Sequence, residues 1–149
     1  MNKDVHEAAL KLLNFRSYSQ YELQQKLLKQ GYDAQAVQQA VEYVMERGYL
    51  NDAALCDMLL SQYAEINRYS LRETYARLRR RGLAAAVITD RLATRDDIHE
   101  YQAALKLAQK YWRADDSQIT GKIMRRLAAK GFKATTVNKV LEYLRDMLP

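Results

Sequence analysis

The chain has 149 residues, 48% hydrophobic and 28% charged, with one Pro, five Gly, one Cys and a formal net charge of +6 at pH 7. That length can bury a real core, and so little Pro and Gly excludes a linker-rich or disordered chain and favours mostly helical structure. The lone Cys56 excludes an internal disulfide and a cysteine-built metal site, and the longest apolar run, Leu83 to Ile88, is far short of the ~20 residues that span a bilayer.

The first residues, MNKDVHEAAL, are amphipathic and charged, unlike a signal peptide. A soluble protein of a reducing, cytoplasmic compartment is expected. The first helix is predicted from about Lys3 to Phe15. Ser19 with Glu22 three residues later forms a capping box that starts the second. Leu23 and Leu27 give that helix its buried stripe, and Gly31 can take the left-handed conformation that ends it. Asp33 is placed to cap a third helix whose Val37, Val41 and Val44 share one face. Gly48 ends it, and Asn51 caps the next.

The design then recurs. Ser70 and Glu73 form a second capping box, Leu71, Tyr75 and Leu78 form the stripe, and Gly82 stops the helix. In the last third, Asp115 or Asp116 is the expected cap, and Gly121 lies inside a helix at a cost of about 1 kcal/mol relative to Ala. A final helix puts Val137, Leu141, Leu144 and Leu148 on one side. Asp96 and Asp97 favour a helix start through the helix dipole.

Gly31, Gly82 and Gly131 lie 51 and 49 residues apart, with matching surroundings. Leu27, Leu78 and Leu127 stand four residues before them, Tyr32, Leu83 and Phe132 one after, and Val37, Ile88 and Val137 six after. A fixed period with matched apolar positions marks a repeated unit. The expected fold is all-α: three tandem three-helix repeats, residues 1–50, 51–95 and 96–149, stacked into an elongated, curved array of helices crossing near right angles.

Charge is uneven along this frame. Residues 1–67 carry six basic and nine acidic side chains, 68–95 carry eight and two, and 96–149 carry ten and seven, giving −3, +6 and +3. Such asymmetry points to a polyanionic or acidic partner for the second and third repeats. At about 100° per residue, Arg72 and Arg79 flank the Leu71–Tyr75–Leu78 face on one side, Arg77 and Arg81 on the other, and Arg80 points away. All are expected to reach solvent. With Arg68 they form one basic cluster; Lys122, Arg125, Arg126 and Lys130 form a second on the matching helix of the third repeat. The fan is too wide for a single groove-reading helix and suits forked contacts to phosphate or carboxylate.

Other chemistry is poorly supported. A DNA-reading helix-turn-helix is disfavoured, because the reading helix of the first repeat carries Asp33, Glu42 and Glu46. The tyrosines suit packing better than base stacking: Tyr32, Tyr43, Tyr75 and Tyr143 lie at or beside stripes, and Tyr18 and Tyr69 precede the capping serines as staples. Trp112 reads as a packing anchor. His6 and His99 are isolated, Cys56 has the spacing of a small buried side chain, and no nucleophile–base or phosphate-loop pattern is present. An enzyme is not expected.

Ala8, Leu12, Leu13, Arg16, Tyr18, Ser19, Glu22, Leu23, Leu27, Gly31 and Tyr32, followed by Gly48-Tyr49-Leu50-Asn51-Asp52, resemble the first repeat and junction of the RecX family of bacterial recombinase regulators. LRRRGL and KYW…RRLAAKGF are similar to that family's later repeats. Two departures stand out: Leu55 replaces the aromatic usual after the junction, and Arg68-Tyr69-Ser70 replaces a Gly-containing basic turn. The resemblance implies a protein without cofactor or chemistry of its own that lies along the groove of a RecA–DNA filament. It would limit filament growth, ATP turnover and strand exchange, and so restrain recombination and the SOS response. The basic residues of both clusters would then meet DNA phosphate or acidic recombinase surface. A monomer with no membrane partner is expected. The alternatives are a general single-stranded nucleic-acid binder that acts by competing for DNA, and a helical adaptor for another acidic protein.

Overall fold

A computed structural model describes residues 4–95 and 100–147. Among the described residues there are nine helices and no strand: α1 (Val5–Phe15), α2 (Gln20–Lys29), α3 (Ala34–Glu46), α4 (Asp52–Ile66), α5 (Leu71–Arg80), α6 (Ala85–Ala93), α7 (Tyr101–Tyr111), α8 (Ile119–Ala129) and α9 (Ala134–Met147). None is long and apolar enough to cross a membrane. The chain divides into two compact units: Met1–Leu59 with Leu78–Thr94, and Leu60–Arg77 with Arg95–Pro149. Lys3, Asp96, Asp97, His99 and Leu148 lie outside the described residues.

In the first unit the starts of α1 to α4 each follow from a short polar side chain. Asp4 accepts from the His6 N–H at 2.9 Å, so α1 begins at Val5. Ser19 and Glu22 complete the capping box of α2 in both directions, at 3.1 and 2.9 Å. Asp33 accepts from the Ala36 N–H at 2.9 Å and starts α3. α1 and α2 both pack on α3. Their core is Val5, Ala9, Tyr18, Leu23, Leu27, Val37, Ala40, Val41, Val44 and Leu50, with Tyr32 and Tyr43 packed against it. Each fully buried large aliphatic contributes about 1.5–3 kcal/mol. Asn51 then accepts from the Ala54 N–H at 3.1 Å and opens α4, where Leu55, Cys56 and Leu59 are buried. No side chain caps α6, whose N-cap is Ala84. Buried Leu83 and Ile88 anchor it instead, and Arg91 forks onto Asp57 of α4 at 2.9 and 2.8 Å.

The second unit repeats the pattern with changes. Ser70 and Glu73 form the capping box of α5, each arm 3.1 Å. The buried stripe of α5 is not the expected one: Thr74 is buried and Tyr75 is 37% exposed. Leu71, Thr74 and Leu78 span about 60° of the helix, so a small side chain takes the inward position and the tyrosine stays at the rim. α7 and α8 pack on α9. Ala103, Ala104, Ala108, Ile119, Ile123, Leu127, Phe132, Val137, Val140, Leu141 and Leu144 form the core, with Trp112 and Tyr143 packed against it. Asp116 accepts from the Gln118 N–H at 2.9 Å. It therefore shapes the turn before α8, which starts at Ile119 with Gln118 as an N-cap that makes no side-chain bond. Gly121 lies inside that helix, as its sequence position indicated.

Candidate functional site

The capping serines do more than start helices. In the first unit the Ser19 hydroxyl also donates to the Arg81 carbonyl, and in the second the Ser70 hydroxyl donates to the Lys130 carbonyl at 2.8 Å. Both acceptors are the residue just before a repeat glycine. The box glutamates reach the same residues: Glu22 takes the Arg81 guanidinium at 2.8 and 3.1 Å, and Glu73 lies 3.6 Å from Lys130. An acid at the start of α4 or just before α7 completes each clamp. Asp52 accepts from the Gln20 N–H at 2.8 Å, and Glu100 accepts from the Leu71 N–H at 2.9 Å.

Ser19 and Ser70 are both fully buried. Ser70→Ala therefore removes an acceptor for the Glu73 N–H and a donor to the Lys130 carbonyl, and should cost about 2–3 kcal/mol. Asp33→Ala, at an ordinary exposed cap, should cost about 1 kcal/mol. Urea unfolding of the two variants reads the difference directly.

These clamps decide where several candidate cations point. Arg81 was expected to face outward. Instead its guanidinium is held by Glu22 and by the Ser17 carbonyl at 3.3 Å, because the box glutamate is a fixed anion within reach. Lys130 turns to Glu73 for the same reason. Arg72 donates to the Ala129 carbonyl at 2.9 Å, satisfying an orphan acceptor at the end of α8. Arg79 donates to the Leu83 carbonyl at 2.9 Å, in the turn before α6. Lys122 pairs with Asp116 at 2.7 Å. That bond, with the Gln118 N–H, holds the Asp116 carboxyl below its ordinary value.

Among the described residues, the other five form no hydrogen bond or ion pair. Arg68, Arg80, Arg125 and Arg126 are exposed and Arg77 is half-buried. Arg77 stacks over Tyr69 with its guanidinium carbon 4.0 Å from the ring centre, and Arg68 lies 5.8 Å from the same ring. Arg126 stacks over Tyr111 at 4.2 Å. Lys110, which the sequence did not single out, lies 5.9 Å from that ring. Its helix-end position beside a tyrosine was the available signal. Among the described residues the ten candidate cations thus divide into five bonded to their own fold and five with no hydrogen bond or ion pair.

Glu22 also gives the protein a pH signature. Burial alone would raise its carboxyl, but the Arg81 fork, the Ser19 N–H and the charges of Arg81 and Arg16 overcome this and hold it below the ordinary value of 4.5. A carboxyl lowered by folding contributes stability above its unfolded pKa and loses it as pH falls through the folded one. Glu22→Gln should therefore flatten the loss of stability below about pH 4.5, as measured by urea titrations from pH 6 to 3. Asp52 has the opposite sign. Burial and the nearby Glu22 raise it against the Gln20 N–H, so its protonation favours the folded state.

Short helices in threes, tied by recurring serine and carboxylate clamps, define a tandem three-helix protein. Comparison with known proteins makes this specific. Residues 6–43 match the first three-helix domain of RecX and residues 99–141 its third. Regulatory protein RecX of Deinococcus radiodurans is 31% identical over 147 residues, 95% of this chain and 68% of that one. The protein of the same name from Pelodictyon phaeoclathratiforme is 28% identical, covering 91% and 86%. The crystal structure of RecX from Lactobacillus salivarius superposes with a TM-score of 0.86 over 96% of both chains at 17% identity. The chain belongs to the RecX family.

Proposed function

We propose that this chain is a non-enzymatic regulator that binds RecA filaments on DNA. It lies in their helical groove and restrains filament growth, ATP turnover and strand exchange, and through them recombination, DNA repair and the SOS response. Membership of the RecX family, whose relatives carry the name regulatory protein, carries the reading. The three repeats, residues 1–50, 51–95 and 96–149, act as one monomeric cytoplasmic binder with no membrane partner. Arg68, Arg77, Arg80, Arg125 and Arg126 meet the filament, while the five bonded cations hold the scaffold that presents them. A guanidinium fork can engage either a phosphate or a carboxylate, and both line a nucleoprotein filament.

The test is the ATP turnover of RecA assembled on single-stranded DNA, with the chain added and DNA in large excess. Inhibition that persists in excess DNA supports a filament regulator. Inhibition that disappears in proportion to added DNA would instead support a nucleic-acid binder acting by competition. No inhibition at any DNA concentration removes the proposal.

A further inference from the structure

Four tyrosines carry an arginine above the ring, and they are not alike. Arg16 over Tyr18 donates to the Ser17 carbonyl at 3.2 Å, and Arg47 over Tyr43 donates to the Tyr43 carbonyl at 3.4 Å. These two guanidinium groups finish turns of the backbone. Arg77 over Tyr69 and Arg126 over Tyr111 belong to the second unit, and among the described residues neither forms a hydrogen bond or an ion pair. Each ring also has a second cation close by, Arg68 at 5.8 Å and Lys110 at 5.9 Å. Arg77 and Arg126 occupy the same repeat position, five residues before Gly82 and Gly131.

We infer that Arg77 on Tyr69 and Arg126 on Tyr111 are two matched posts for the phosphodiester backbone of single-stranded DNA. Stacking on the ring restrains each guanidinium while its N–H donors stay unbonded among the described residues, so less rotamer freedom is lost when it grips an oxyanion. Arg68 and Lys110 add a second positive charge beside each post. Among the described residues no carboxylate is bonded to these four cations, which concentrates positive charge around the two rings. A protein partner would need separate carboxylates placed for each charge, whereas a polynucleotide supplies anions at regular intervals and gains counterion release on binding. The inference rests on the proposed function only in taking the filament's DNA as the strand.

The test is fluorescence anisotropy of a labelled oligo-dT with the full chain across a salt series. Arg77→Gln with Arg126→Gln should make the log–log salt slope shallower by about 1.4, two contacts of about 0.7 each. Lys26→Gln, at the same repeat position in the first unit, should leave the slope unchanged. Arg77→Lys with Arg126→Lys should keep the slope but weaken binding, because an ammonium cannot fork. A wild-type slope in the Gln pair, with helix content intact by circular dichroism, overturns the inference. If the Gln pair loses helix content, the Lys pair decides, and wild-type affinity there overturns it equally. A Gln pair that keeps the slope but no longer inhibits the RecA ATPase places the posts on protein, sinking this inference while leaving the regulatory function standing. A wild-type chain that binds oligo-dT through these posts but never inhibits the ATPase sinks the function and leaves the posts.

Discussion

Glu100→Ala should destabilise the second unit by about 4 kcal/mol, since bonds to a charged acceptor are each worth roughly 1.5–3 kcal/mol and their loss strands buried donors. Glu100 is only 5% exposed. Its carboxylate accepts from the Leu71 N–H at 2.9 Å, the Lys133 N–H at 2.8 Å and the Thr136 hydroxyl at 3.0 Å. The starts of α5 and α9 thus depend on one side chain preceding α7. In the first repeat Asp33 caps α3 for itself, but Lys133 occupies the matching position before α9 and has no acceptor to offer. Both helix N-termini carry partial positive charge, so the anion suits them without a cationic partner. Glu100→Gln keeps one carbonyl acceptor but points an amide N–H₂ at another donor, and should cost about half as much as Ala. Urea unfolding of the two variants checks both the magnitude and the order. Equal stability of Glu100→Ala and the unaltered chain would remove the clamp from the account.

The sequence carried the frame of this fold because its signals are local. Capping boxes at Ser19 and Ser70, turns at Gly31, Gly82 and Gly131, and the Val37–Val41–Val44 stripe each follow from a few neighbouring residues, and the structure has them all. What local pattern could not show is where a side chain goes once a distant segment packs beside it. Tyr75 and Thr74 both suit an inward position on a helical wheel, and only packing selects Thr74. Arg81 looks free until Glu22, 59 positions away, is brought to 2.8 Å. Arg126 reads as one of several surface cations until Tyr111 lies under it. Charge counting therefore located the basic helices but could not divide their members between scaffold and surface. Glu100 was passed over for a related reason: a single acid at a helix start looks ordinary, and its other donors lie 29 to 36 residues away.

The repeat glycines separate backbone strain from crowding, and their substitution should give a graded series. Gly31, Gly82 and Gly131 all have positive φ, at 100°, 83° and 96°, so alanine at any of them costs about 1–2 kcal/mol from backbone strain alone. At Gly31 an added Cβ meets nothing within 4 Å, and Gly31→Ala should show that cost only. At Gly131 it would crowd the Arg72 side chain, coming within 2.9 Å of its Cβ. The guanidinium can swing away at the loss of its bond to the Ala129 carbonyl, but the Arg72 Cβ, just inside the contact limit, needs a small shift of α5 as well, adding about 1–2 kcal/mol in all. At Gly82 the obstacle is Tyr21, with its Cβ at 2.7 Å and ring carbons at 2.8 and 3.0 Å. The Cβ and the root of the ring cannot rotate aside, so α2 itself must shift. Since Tyr21 follows Ser19 by two residues, that shift pulls on the clamp to the Arg81 carbonyl. Gly82→Ala should therefore cost at least about 3 kcal/mol, combining strain with overpacking of about 1–3 kcal/mol. The order Gly31, Gly131, Gly82 in urea midpoints is the result that matters. If Gly82→Ala proves no worse than Gly31→Ala, the start of α2 does not press on that turn as described, and the serine clamp loses its steric counterpart.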